Sequence, residues 1–507
     1  RNARRLALLL NLFRHAARAS ARRGMTLVLL LEDLHWLDPA SADLLAELAL
    51  SVPSLPVLVL TSARPRDDGR AGVVGEVPGA RVLRLGPLDE QAALAVVAAR
   101  LAEAGQGVLR GDRPGGGNLG GPAGNPFYLG ELLTDLLQRA APAGGGLDLT
   151  DLAELPTSLH SLILGRLDRL ELAAQMSLKV ASVVGKQFRV GWVSACQGAA
   201  DELAAAAFVA TDQAGLTERI LAEPPTHAFN HAITRDVTYD SLSNATRLQL
   251  HTRLGRFIEQ HVAGASEPNL DLLAYHFALG DDTAKARHYL RAAGAAAKAA
   301  YANEAAIDYF ERLLALQDGA ERLPTLLELG EVMTFVGSYG AAEERLEAAA
   351  ALAPVAGGRL SEAAALRLLG ELYERQGHHG RARARLEGAA RLCRELGDGA
   401  ELTRVLLALG GNVLWHLGVY DEAEALLAEA EALARAAGDA RAAARALHGT
   451  ANIHLYRGEA GAAEAAFLAS LELRRGAGDD YGVANALNNL AIVSANAALR
   501  SCSPRAS

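Results

Sequence analysis

Three cysteines in 507 residues, Cys196, Cys393 and Cys502, are too few and too scattered for a disulfide framework or a zinc site. A reducing cytoplasm is therefore the expected compartment. No apolar run approaches the roughly 20 residues that a membrane-crossing helix needs. Lysine is nearly missing: Lys179, Lys186, Lys285 and Lys298 are the four among 50 basic residues. A net charge of −9 and a pI near 5.9 give no overall support for nucleic-acid or membrane binding. Residues 1 to 23 are the local exception, with seven arginines and no acid around Leu6, Leu8, Leu9, Leu10, Leu12 and Phe13. Their pattern reads as a surface helix ahead of the first strand, in preference to a transit peptide or membrane-surface helix. The chain starts on Arg1, not Met, which suggests a start internal to a longer protein.

What the chain does have is bulk and order. Half of its residues are hydrophobic, enough for about three domains with substantial cores. The segment Leu27-Val-Leu-Leu-Leu-Glu-Asp-Leu-His-Trp-Leu-Asp38 carries most of the chemistry. A short continuous apolar run suits a buried parallel strand, and acids at its carboxyl end lie where ligands bind in open α/β sheets. Ser41 to Leu50 has helical spacing, Val57 to Leu60 reads as a second strand bracketed by prolines, and Val82 to Leu85 as a third. Asp89 to Ala104 follows as a helix with acids in its first turn. Gly105 to Gly124 is a glycine- and proline-rich loop. Pro126 to Ala140 is again helical, and a long helical region runs on to about Val262. Within it, Thr226 to Thr238 allows a short strand or hairpin before a helix at Ala245 to His261.

The last third repeats. Gly330, Gly370, Gly411, Ala451 and Ala491 recur at spacings of 40, 41, 40 and 40 residues, each followed seven residues later by Gly337, Gly377, Gly418, Gly458 and Ala498. Ala342, Ala382, Ala423 and Ala463 keep the same register. Small residues at such places let the two helices of a hairpin cross closely, and stacked hairpins bury what one alone cannot, which gives a solenoid. Tyr373, Trp415 and Tyr420 read as packing residues of that array. Residues 268 to 316 read as one or two less regular helical pairs leading into it, and Arg500 to Ser507 as a polar tail that replaces the final unit's second helix.

Read in order, these segments resemble a known family. Leu31 to Ser41 resembles the Walker B segment of the AAA-like and STAND signalling ATPases of bacterial regulators. Leu58-Val-Leu-Thr-Ser-Ala-Arg64 is similar to their sensor strand, and Gly124-Asn-Pro-Phe127 to their Gly-x-Pro element. Leu155 to Leu159, Gly165 to Leu170, Ala181 to Phe188, and the segment with Phe229, His231, Arg235, Asp236, Tyr239, Leu242 and His251 resemble the helical and winged-helix region that follows. The repeats resemble tetratricopeptide repeats of about 40 residues. The fold class implied is a partial α/β nucleotide-binding core, then an all-α helical/winged-helix region, then an α-solenoid of tetratricopeptide-like repeats. The corresponding divisions are 1–105 for the core, 106–146 for a Gly-rich loop and lid helix, 147–265 for the helical/winged-helix region, 266–320 for irregular helical pairs, 321–500 for the repeats and 501–507 for the tail.

The resemblance also assigns roles. Glu32 takes the Mg²⁺ position, through water, where the family more often has Asp, and Asp33 positions the attacking water. Arg64 offers a planar fork to the γ-phosphate, and Pro126 packs on the base or ribose of ATP or ADP. His35, Trp36 and Asp38 read as structural, the last as a helix cap. His231, Arg235 and Asp236 read as a buried polar network. Against this, the phosphate cradle Gly-x-x-x-x-Gly-Lys-Ser/Thr is absent from all 507 residues, and Gly185-Lys186 lacks its spacing. ATPase chemistry is thus a property of the family that this chain, alone, is not expected to perform. The implied protein is a signal-transduction regulator, transcriptional as in large LuxR-type and MalT-type proteins, with a protein partner or small-molecule inducer on the solenoid. DNA would be reached only through a domain outside these residues, and nucleotide-dependent oligomerisation is left open. The regulatory part of an adenylate or guanylate cyclase-type protein and a non-catalytic repeat scaffold are the rivals.

Overall fold

The computed structural model describes residues 2–32, 34, 41, 45–46, 48–50, 52–63, 80–103, 125–140, 158–261 and 269–502. The chain divides into two compact units, Arg1–Glu171 and Leu172–Ser507.

In the first unit, α1 (Asn2–Ala21) precedes β1 (Leu27–Leu31), which pairs in parallel with β2 (Val57–Thr61) in the register Leu27 to Val57 through Leu31 to Thr61. Residues 41, 45–46 and 48–50 are helical, as their spacing predicts. The helices α2 (Glu90–Glu103), α3 (Pro126–Ala140) and α4 (Leu159–Asp168) follow. Each begins where its chemistry allows. Asp89 accepts the Ala92 N–H at 2.8 Å, Pro126 supplies a first helical residue that needs no N–H partner, and Ser158 accepts the Ser161 N–H at 3.2 Å. Arg166 of α4 pairs with Glu131 of α3 in the interior.

Two expectations fail here. Val82–Leu85 is not a strand; Leu83 and Leu85 are exposed. An apolar tetrapeptide becomes a strand only when a neighbour completes its hydrogen bonds, and periodicity does not report that neighbour. Nor are β1 and β2 buried throughout: Val28, Leu30, Leu58 and Leu60 share an exposed face. A parallel pair needs helices on both faces.

The second unit opens with α5 (Leu172–Val184), β3 (Gln187–Arg189), α6 (Val190–Gln197), α7 (Asp201–Gln213), β4 (Thr217–Leu221) and β5 (Thr226–Phe229). The strands form an antiparallel sheet in the order β3-β5-β4. Phe188, Phe208 and Phe229 meet beneath it, with ring centroids 4.9 and 5.4 Å from Phe188. Next come α8 (Ala232–Asp240) and α9 (Asn244–His261). The network expected of His231, Arg235 and Asp236 is not buried. His231 and Asp236 are exposed, while Arg235 donates from Nε to the Ser182 carbonyl at 2.8 Å. Arg235 Nη1 also donates to Asp236 at 3.1 Å, so these two do pair, but at the surface of a helix N-terminus and not within a buried network.

From α10 (Leu270–Ala278) onward the unit is a stack of antiparallel helices: α11 (Thr283–Ala299), α12 (Asn303–Ala315), α13 (Arg322–Val336), α14 (Tyr339–Val355), α15 (Arg359–Arg375), α16 (His379–Leu396), α17 (Gly399–Ala408), α18 (Tyr420–Ala436), α19 (Ala440–Arg457), α20 (Ala460–Gly476) and α21 (Asp480–Cys502). The repeat register explains the packing. A Cβ on Gly330 or Gly370 would run into Leu346 or Leu386 of the next helix, the second at 2.5 Å. Ala451 packs against Ala463 and Phe467. The spacing of 41 has a structural counterpart: after α17 the chain forms a π-helical segment, Leu409–Leu414, that absorbs one extra residue. Gly410 stands twelve residues after the cap Asp398, as Gly370 does after Gly358 and Ala451 after Asp439. Gly410, not Gly411, therefore makes the close approach, with the Ala423 carbonyl 3.0 Å from its would-be Cβ. The tail is corrected in part, since α21 stays helical to Cys502; residues 503–507 lie outside the described residues. Among the described residues no helix is long and apolar enough to cross a membrane.

Candidate functional site

Glu32 follows β1 directly and is exposed. The ladder continues past the strands on either side of it: Ser62 N–H donates to the Leu31 carbonyl and Leu34 N–H to the Ser62 carbonyl, both at 2.9 Å. Glu32 is thus held at the carboxyl end of a parallel pair. Pro126 is exposed at the start of α3. Asp33, Arg64 and the residues His35, Trp36 and Asp38 lie outside the described residues. Among the described residues no group of three or more His, Cys, Asp or Glu side chains is placed to hold a metal. Glu32 alone supplies one solvated carboxylate and nothing for the β- and γ-phosphates, so these residues do not by themselves fit Mg-ATP.

A second site, not foreseen from the sequence, lies on the helical stack. A cavity of about 470 Å³ is lined by the first helices of successive hairpins, α11, α13 and α15. Lys298 anchors one wall, donating to Glu328 at 2.5 Å and Glu331 at 2.7 Å. Burial works against its charge, but the two carboxylates outweigh burial and hold its pKa above the usual lysine value. Tyr301 and Phe335 form the other wall, each more than half exposed, their rings 6.3 Å apart. Arg375 lies at the rim.

Tyr301 is unusual in backbone as well as in exposure. Its φ of +61° makes it the one non-glycine left-handed residue among those described. The comparable joints after α13, α16 and α19 use Gly337, Gly397 and Gly458. A side chain in this conformation costs about 1–2 kcal/mol relative to glycine. The ring is therefore kept at an energetic cost, in the open, beside a second exposed aromatic. The sequence signal was available: a tyrosine at a hairpin joint where later units place glycine.

Tyr373 is confirmed as a packing residue, fully buried with its hydroxyl donating to Glu343 at 2.7 Å. Trp415 and Tyr420 are half-buried and meet the exposed Tyr456, at 5.1 and 6.1 Å between ring centres.

No family model matches the chain. An uncharacterized protein of Rhizobium meliloti (strain 1021) is 26% identical over 346 residues, 65% of this chain. The chain spans 32% of that relative's length. Among solved structures, the chain is similar to a Signal Transduction ATPase with Numerous Domains (STAND) protein with a tetratricopeptide repeat sensor from Pyrococcus horikoshii. There the TM-score is 0.49 and the identity 12%, over 93% of this chain and 66% of that one. It is also similar to a thermophilic tetratricopeptide-repeat protein of Thermus thermophilus, with a TM-score of 0.31 and 23% identity, over 41% of this chain and 98% of that one.

Proposed function

We propose that this chain is part of a STAND-type signal-transduction regulator whose helical stack receives a signal at the Tyr301–Phe335 cavity. The observation that carries the reading is the order of parts. A parallel strand pair, with Glu32 directly after β1, is followed among the described residues by the helices α2 to α5 and a three-stranded antiparallel sheet, then by stacked hairpins. The sheet order β3-β5-β4, with β3 before and β4–β5 after α6 and α7, supports a winged-helix reading of residues 172–229. A regulator of this kind needs two states that differ in nucleotide affinity and that a ligand on the repeats biases.

The nucleotide half of the proposal is tested by titrating Mg-ATP into these 507 residues and into the reading frame extended upstream of residue 1. The short chain is expected to stay silent and the extended chain to bind with loss on Asp33→Ala. Silence of both favours a repeat scaffold, and micromolar binding by the short chain means that these residues hold the phosphates without such a cradle. The cavity is tested separately with Tyr301→Gly, which restores the residue used at other joints. The variant is expected to fold at least as well as the parent and to lose partner or inducer binding.

A further inference from the structure

The Tyr301–Phe335 cavity is electrically lopsided. Its Lys298 wall presents two carboxylates to one ammonium: Glu328 and Glu331 each give one oxygen, Oε2, to Lys298 Nζ. The second oxygen of each, Oε1, takes no partner among the described residues. Neither side chain is sealed in, at 44% and 53% exposed, and both line the volume of about 470 Å³. The unused acceptors therefore have room beside them. Glu371 is already engaged, accepting Arg367 Nη1 at 2.8 Å. Arg375 brings the opposite charge, but it stands exposed at the rim, where water and salt screen it.

The aromatic wall has the same preference. Elsewhere in the chain, rings are covered by the chain's own cations: Arg235 and Arg247 lie over Tyr239, Lys285 over Phe277 and Arg381 over Tyr373. Among the described residues no cation lies over Tyr301 or Phe335, whose rings meet each other at 6.3 Å and 45°. Two rings so placed can both lie within about 6 Å of one cation, the range of cation–π attraction. The repeat register shows that the acidity belongs to this cavity and not to the stack at large. Glu331 and Glu371 stand six residues before the joint glycines Gly337 and Gly377, whereas the later units place Asn412 and Asn452 six before Gly418 and Gly458.

We propose that the cavity takes a guanidinium or ammonium group on an apolar stem, its N–H groups donating to Glu328 and Glu331 and its charge lying against Tyr301 and Phe335. The assignment rests on the reading of this cavity as the place where the stack receives its signal, and names the chemistry of that signal. The volume falls in the range of about 300–1,000 Å³ typical of small-ligand pockets. Of the two cations the guanidinium suits the walls better, because it is planar and weakly hydrated, stacks on an aromatic face and turns a fork of donors to carboxylate oxygens. A free small molecule and an arginine side chain of a protein partner share this chemistry.

The test is calorimetric titration of the full 507-residue chain with butylguanidinium and with butylurea, which has nearly the same shape and no charge. Butylguanidinium is expected to bind about tenfold more tightly than butylurea. Glu331→Gln, which leaves Glu328 to hold Lys298, and Phe335→Ala are each expected to weaken the guanidinium about tenfold while Tm stays near that of the parent, since both side chains are more than half exposed. A blocked glycyl-arginyl-glycine peptide separates the sources: tighter binding than butylguanidinium assigns an arginine of a protein partner, weaker binding a free small molecule. Equal binding of butylurea, lost in Tyr301→Gly, overturns the cation assignment and leaves the signal site standing. Binding of neither probe at millimolar concentration, or guanidinium binding undiminished in Glu331→Gln and Phe335→Ala, overturns the assignment as well. The signal reading itself falls only if the partner still binds Tyr301→Gly.

Discussion

His251 Nδ1 stands 2.9 Å from Nδ1 of His276, so one of these two buried rings donates where the other accepts. His251 Nε2 meets the Tyr239 hydroxyl at 3.0 Å, and Arg235 and Arg247 lie over the Tyr239 ring at 4.9 and 4.6 Å. Burial, reinforced for His251 by Arg235 and Arg247, lowers its pKa to about 4; burial and the neighbouring His251 lower His276 to about 3. The pair joins α9 to α10, where the sheet-bearing half of this unit meets the stack.

The sign of the resulting pH dependence follows from where the protons go. An unfolded histidine titrates near 6.5, well above these folded values, so between about pH 6.5 and 4 the unfolded chain binds more protons. The stabilisation is fully present above pH 6.5 and declines as pH falls, by about 1.4 kcal/mol per unit for each histidine. Urea midpoints at pH 7 and pH 5 are expected to differ more in the parent than in His276→Asn. An unchanged difference would count against the neutral pair.

The π-helical segment separates two adjacent glycines. Gly410→Ala places a methyl 3.0 Å from a backbone carbonyl, which cannot step aside as a side chain can, and is expected to cost about 1–3 kcal/mol. Gly411→Ala meets only Leu427, at 3.8 Å, and is expected to be neutral or to gain up to about 1 kcal/mol of helix propensity. Thermal melts of the two variants are the check, and equal losses would misplace the insertion.

Glu401 is buried and takes Arg367 Nε at 2.6 Å and Arg404 Nη1 at 2.5 Å. The carboxylates of Glu371 and Glu401 outweigh burial and hold Arg367 above its usual pKa. Glu401→Ala leaves the nearly buried guanidinium with Glu371 alone, 2.8 Å away, and is expected to cost about 1–3 kcal/mol, whereas an Arg367→Met/Glu401→Leu double variant recovers most of that loss. A double-mutant cycle read by denaturant melts measures the coupling.

Cys196 and Cys393 are buried thiols, raised by burial to about 12 and about 11 respectively. The thiolate is the reactive form, so neither is expected to react with a disulfide reagent at pH 8 until the chain unfolds. Rapid native modification of either, located by peptide mapping, would contradict the packing.

The stack was legible because its constraint is local: a small residue every 40 positions, against a helix that follows in sequence. The 41 spacing marked the unit that carries an extra residue, but neither its place in a π-helical segment nor the glycine that makes the contact was legible. The His251–His276 pair was not legible, since His251 appears in the sequence as one polar residue of a helix and its partner lies 25 positions away. At the candidate nucleotide end, Glu32 was legible as the acid after an apolar run, whereas Val82–Leu85 has the composition of a strand without a partner.

The placement of the extra residue inside a helix, and not at a turn, has a consequence for how such an array grows. Gly418 and Gly438 close the 41-residue unit with the same left-handed joints as its neighbours, at φ of 73° and 71°. Each joint therefore hands the chain on in phase, and the irregularity is confined to one rung. Whole units can be duplicated or deleted on either side of it without retiming the rest, which makes the number of rungs, and so the reach of the ladder, an independent variable of this architecture.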